Sequence, residues 1–141
     1  IGCAVTGFSV GISRALFGRY GGKLDLGRYM QASALLCIAA YGCIVFVPSP
    51  VLSLIGCAVT GFSVGIFWPG TFSRAAASIR DGGTAMFALL ALAGDLGCAG
   101  GPTLAGLVSS ACGGSLRAGI LAALIFPALM LICLLGMKKT R

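Results

Sequence analysis

Apolar residues in this chain gather into long runs separated by short polar gaps. Four runs, residues 30–47, 51–69, 84–108 and 118–137, are each close to the roughly 20 residues an α-helix needs to cross bilayer hydrocarbon. A fifth stretch, residues 1–12, is as apolar but too short to span, and reads as the end of a helix that starts upstream. The pattern predicts an all-α membrane protein with four transmembrane helices plus a partial fifth, in one helical domain over residues 1–141.

Composition points to the same solvent. Hydrophobic residues make up 58% of the chain and charged residues 9%, against about 25% charged in an average soluble domain. Mean hydropathy is +1.05. A water-facing surface cannot be covered by so few polar groups, whereas lipid tolerates it. The 23 glycines carry no short period and come with only 5 prolines. In membrane helices glycine permits close backbone approach.

The net charge of +7 does not form a nucleic-acid patch, because the ten basic residues sit in the gaps between apolar runs. Residues 13–28 hold Arg14, Arg19, Lys23 and Arg28; residues 70–83 hold Arg74 and Arg80; the tail holds Lys138, Lys139 and Arg141. The gap at 48–50 has none, and that at 109–117 has Arg117 alone. Alternate gaps face opposite sides, so nine cations lie on one side and one on the other. The positive-inside rule then makes 13–27, 70–83 and the C-terminus cytoplasmic. The Pro48-Ser49-Pro50 turn makes its two helices an antiparallel hairpin.

Residues 1–12 and 55–66 share one twelve-letter sequence, IGCAVTGFSVGI, and diverge at Ser13 versus Phe67. Structural repeats drift along their whole length, so a recent local duplication or a joining error is the expected source. The chain opens on Ile with no basic region ahead of an apolar core, so no signal peptide is read and a longer parent is expected. The seven cysteines are scattered with no CxxC and there is no His, so no metal site or cofactor is read and the thiols count as small apolar residues.

Asp95 is the most informative residue, being the one acid inside an apolar run and near its middle. An Asp at that depth costs about 2.5–3.5 kcal/mol on insertion scales and normally faces water or a partner. Ala88, Ala91, Cys98, Ala99 and Pro102 share its helical face, while Leu89, Leu92 and Leu96 lie on another. Asp95 is the candidate for binding substrate or a coupling proton, the alternative being a structural bond to a neighbouring helix. Gly97 and Gly101 form a GxxxG pair on this helix, and Pro102 breaks its hydrogen-bond ladder. In the 51–69 run, Gly61, Gly65 and Trp68 share a face, and Pro69 is expected to end or kink the helix. Trp68 is read either as lining a substrate path or as an interfacial anchor. With no His and no buried acid pair, an enzyme is not expected.

The loop Gly18-Arg19-Tyr20-Gly21-Gly22-Lys23 resembles the basic, glycine-rich Asp-Arg-x-Gly-Arg-Lys loop of the major facilitator superfamily, with Arg19, Gly21 and Lys23 matching and Gly18 standing where that pattern has Asp. GDLGCAGGPTLAG, residues 94–106, resembles the Gly-Pro-rich helix of that superfamily. FWPG and GGTAMFALLALAGDLG look like bacterial permeases related to fucose transporters. The resemblance covers residues 13–137. It implies a twelve-helix fold of two six-helix halves, of which these spans are helices 9 to 12 and the stub the end of helix 8. It also implies that a small solute, a sugar among the options, binds between the halves and crosses by alternating access. Arg19, Gly21 and Lys23 become gating-loop candidates, and the missing N-terminal half becomes the partner without which this chain does not transport. A four-helix multidrug pump acting as a dimer and a non-transporting membrane subunit are the alternatives.

Overall fold

The structure is a computed structural model that describes residues 1–23, 25–47 and 49–139. Pro48 of the Pro-Ser-Pro turn and Arg141 of the basic tail lie outside those residues. Every regular element described is helical: α1 (Gly2–Tyr20), a 3-10 turn (Gly21–Lys23), α2 (Leu26–Phe46), α3 (Pro50–Gly65), α4 (Phe67–Ser78), α5 (Gly83–Ala111), α6 (Leu116–Ala123) and α7 (Ile125–Lys139). Four helical stretches are long and apolar enough to cross a membrane: Leu26–Phe46, Pro50–Ser78, Gly83–Ala111 and Leu116–Met137. At about 1.5 Å per residue, even the shortest matches a hydrocarbon core of about 30 Å.

The spans run past the apolar runs at several ends. Residues 70–78 are helical and residues 13–20 continue α1, so much of the two longer basic gaps is helix rather than loop. Small residues such as Ala75, Ala76 and Ala77 sustain the helix where hydropathy has already fallen.

Both breaks within spans have one cause. Proline lacks an N–H and its ring crowds the carbonyl four residues back. Pro69 thereby disturbs Gly65, and α3 gives way to α4 at Ile66; Pro127 disturbs Ala123, and α6 gives way to α7 at Leu124. Ile66 and Leu124 keep right-handed helical angles, so each span runs on. The kink expected at Pro69 thus sits one turn upstream, and the helix continues to Ser78. Pro102 leaves α5 unbroken, and the Thr103 hydroxyl donates to the Ala99 carbonyl at 2.7 Å beside it.

Local chemistry sets two of the corners. Asp25 caps α2, its carboxylate accepting the Gly27 N–H at 3.2 Å. Helix α5 ends in a Schellman turn: Gly114 N–H donates to the Ser109 carbonyl at 2.8 Å and Gly113 N–H to that of Ser110 at 3.3 Å. The φ of +70° at Gly113 and +83° at Gly114 is tolerated only without a Cβ.

The main packing pairs are α1 on α3, α3 on α2, α2 on α7 and α6 on α5. Met30, Ala34 and Leu134 form the centre, flanked by Leu26, Phe67, Met130 and Leu131. Gln31 Nε2 donates to the Leu134 carbonyl at 3.4 Å and ties α2 to α7. The two identical twelve-residue segments lie side by side and parallel. The Thr6 carbonyl presses on Gly61, the Val10 carbonyl on Gly65, and the Thr6 hydroxyl donates to the Cys57 carbonyl at 3.3 Å.

Candidate functional site

Helix α5 presents three different faces. At about 3.6 residues per turn, Leu90, Gly94, Gly101 and Ala105 form the partly covered face. Gly119 of α6 approaches it so closely that a Cβ there would meet the Ala105 carbonyl. Leu89, Leu92, Leu96 and Leu107 form a second face, each more than half exposed. Asp95 stands on the third, with Ala88, Ala91, Ala99 and Pro102, all exposed or partly so. No residue of α5 is fully buried.

Trp68 reaches α5 from α4. Its indole lies over Gly94, filling the space a Cβ would take. Its ring packs on Phe72 with centroids 4.7 Å apart, and Phe72 stacks on Phe87 at 5.6 Å. Trp68 and Phe72 are one helical turn apart on α4, which aligns their rings. The seat of Trp68 is thus the residue next to Asp95. Among the described residues the Asp95 carboxylate accepts no hydrogen bond and meets no cation. The geometry is an aromatic wall ending at a glycine, with an unpartnered carboxylate beside it on an open small-residue face.

The other candidates are held separately. Arg19 closes the last turn of α1, and Gly21 and Lys23 lie in the 3-10 turn that follows. A Cβ on Gly21 would meet the Phe17 ring, so glycine suits this turn. Among the described residues Arg19 and Lys23 meet no carboxylate, and the one ion pair is Arg28–Asp25 at 3.7 Å. Gly61 and Gly65 both pack tightly, against α1. Gly97 and Gly101 meet nothing within 4 Å of a Cβ, so this GxxxG pair has no partner among the described residues. Gly94, Phe72 and Phe87 do not stand out in the sequence. Only the one-turn spacing of Trp68 and Phe72 signals a cluster, and nothing local points to Gly94.

Comparison with known proteins finds no matching family model, no matching curated protein and no matching solved structure.

Proposed function

We propose that this chain is part of the C-terminal half of a major facilitator-type secondary transporter in a bacterial cytoplasmic membrane, with its C-terminus inside. Asp95 contributes to the binding of a small solute or a coupling proton. The observation that carries this reading is the Asp95 carboxylate: mid-span, exposed, without a partner among the described residues, and next in the chain to the glycine on which Trp68 sits. A carboxylate at that depth is too costly to leave against lipid. The face it occupies is lined by small side chains that suit a water-filled path or a closely approaching helix. The leucine face, a third of a turn away, suits lipid. The missing N-terminal half supplies the covering surface, and solute passes between the halves. Arg19, Gly21 and Lys23 act at the cytoplasmic loop by resemblance alone.

Uptake of sugars and small organic acids into vesicles holding the full-length parent tests this. Asp95→Asn is expected to abolish uptake, or its dependence on a pH gradient, while Leu96→Ala leaves both in place. Unchanged uptake and coupling in Asp95→Asn would remove Asp95 from the mechanism. Uptake by this polypeptide alone would point to the small dimeric pump, in which a second copy covers the Asp95 face.

A further inference from the structure

Two adjoining cavities lie where α2 begins and where α4 and α7 end. The first, about 440 Å³, is lined by Asp25, Arg28, Gln31, Ser73, Arg74 and Ser78. The second, about 300 Å³, is lined by Met30, Thr71, Ala75 and Met130. Arg74, Ser78, Leu134 and Met137 border both, so a polar cavity adjoins an apolar one.

The charges in the polar chamber are unbalanced. The Asp25 carboxylate is already engaged by the Gly27 N–H at 3.2 Å and by Arg28 at 3.7 Å. Arg74 is partly buried and has no carboxylate partner among the described residues. Its guanidinium lies over Gly27, with Nη1 3.1 Å from where a Cβ would stand. The first turn of α2 adds backbone N–H groups beyond that of Gly27, which the Asp25 carboxylate already takes.

We propose that these paired cavities hold one anionic phospholipid of the phosphatidylglycerol kind. Its phosphate sits between Arg74, Arg28 and the start of α2. One acyl chain lies along Ala75, Met130 and Met137. Free phosphate satisfies the first chamber only and leaves the apolar one unfilled. A lipid matches both, at the end of the spans where headgroups are found. The inference rests on the spans lying in a bilayer, and is independent of transport and of Asp95.

The test is lipid retention by the full chain, purified in detergent and titrated with phosphatidylglycerol, phosphatidylethanolamine or phosphatidylcholine of equal chain length, read by native mass spectrometry. Preferential retention of phosphatidylglycerol is expected, with R74Q weakening it about fivefold, the equivalent of about 1 kcal/mol for one arginine at the surface. R28Q changes a largely exposed side chain and keeps the fold, so it serves if R74Q unfolds. R117Q, in the gap assigned to the other side, is expected to change nothing. Equal retention of the three lipids, or wild-type retention by both R74Q and R28Q, would overturn the proposal. Displacement of the lipid by millimolar inorganic phosphate would overturn it too, in favour of a free-anion site. A chain that retains no lipid of any kind would overturn it together with the membrane placement.

Discussion

The indole of Trp68 occupies the space above Gly94 that any other residue would fill with its Cβ. This contact joins the aromatic cluster of α4 to the middle of α5, at the residue that precedes Asp95 in the chain. Gly94→Ala is expected to push the partly exposed ring aside and destabilise the chain by about 1 kcal/mol, the low end of the usual cost of overpacking. Trp68 is the only tryptophan, so its emission reports the displacement directly. An emission maximum and melting temperature equal to wild type would mean the ring does not sit there.

The repeated segment offers an internally controlled pair of substitutions. Gly61 and Gly7 share the same neighbours in sequence, yet Gly61 meets the Thr6 carbonyl and Gly7 meets nothing within 4 Å. Gly61→Ala is expected to cost about 1–3 kcal/mol, because backbone cannot step aside as a side chain can. Gly7→Ala is expected to be neutral or to stabilise by up to about 1 kcal/mol through lost glycine entropy. Denaturation in mixed detergent micelles compares the two. Equal effects would rule out the parallel packing of α1 on α3.

Asp95 also makes a prediction about membrane insertion. Replacing it with Leu removes a cost of about 2.5–3.5 kcal/mol at the helix centre and adds a small apolar gain. A glycosylation-mapping assay of the α5 segment is expected to show a larger inserted fraction for Asp95→Leu than for wild type. An identical fraction would place Asp95 away from the bilayer middle.

The sidedness of the loops is testable with thiols. Cys112 is exposed at the end of α5, in the turn assigned to the outside. With the other six cysteines replaced by Ala, an impermeant maleimide is expected to label Cys112 in intact cells. A chain whose only cysteine is Ser78→Cys, at the end of α4, is expected to react only after lysis. Labelling of both from one side would contradict the alternation of spans.

Several features are legible in the chain's own residue pattern. The four apolar runs correspond to the four span-length helices, because a helix satisfies its own backbone groups and hydropathy records the solvent its side chains meet. The small-residue face around Asp95 follows from a spacing of about 3.6 residues per turn, which is local. Helix ends are harder to read. Residues 70–78 have the composition of a gap yet are helical, because charge marks where a chain leaves lipid, not where its hydrogen bonds stop. The effect of Pro69 falls at Gly65 and Ile66 because the carbonyl it disturbs is four residues back.

Tertiary structure decided which helix faces meet. Gly61 and Gly65 receive another helix while Gly7 and Gly11, within the same twelve letters, lie open. Likewise Trp68 rests on Gly94, whereas the more conspicuous Gly97 and Gly101 have nothing within 4 Å of an added Cβ. Arg74 approaches Gly27 across more than forty intervening residues. A one-dimensional pattern determines which solvent a side chain prefers, since that depends on the residue and its near neighbours. Which surfaces touch depends on backbone shape and on the competition among all available faces, and that is settled only when the helices pack.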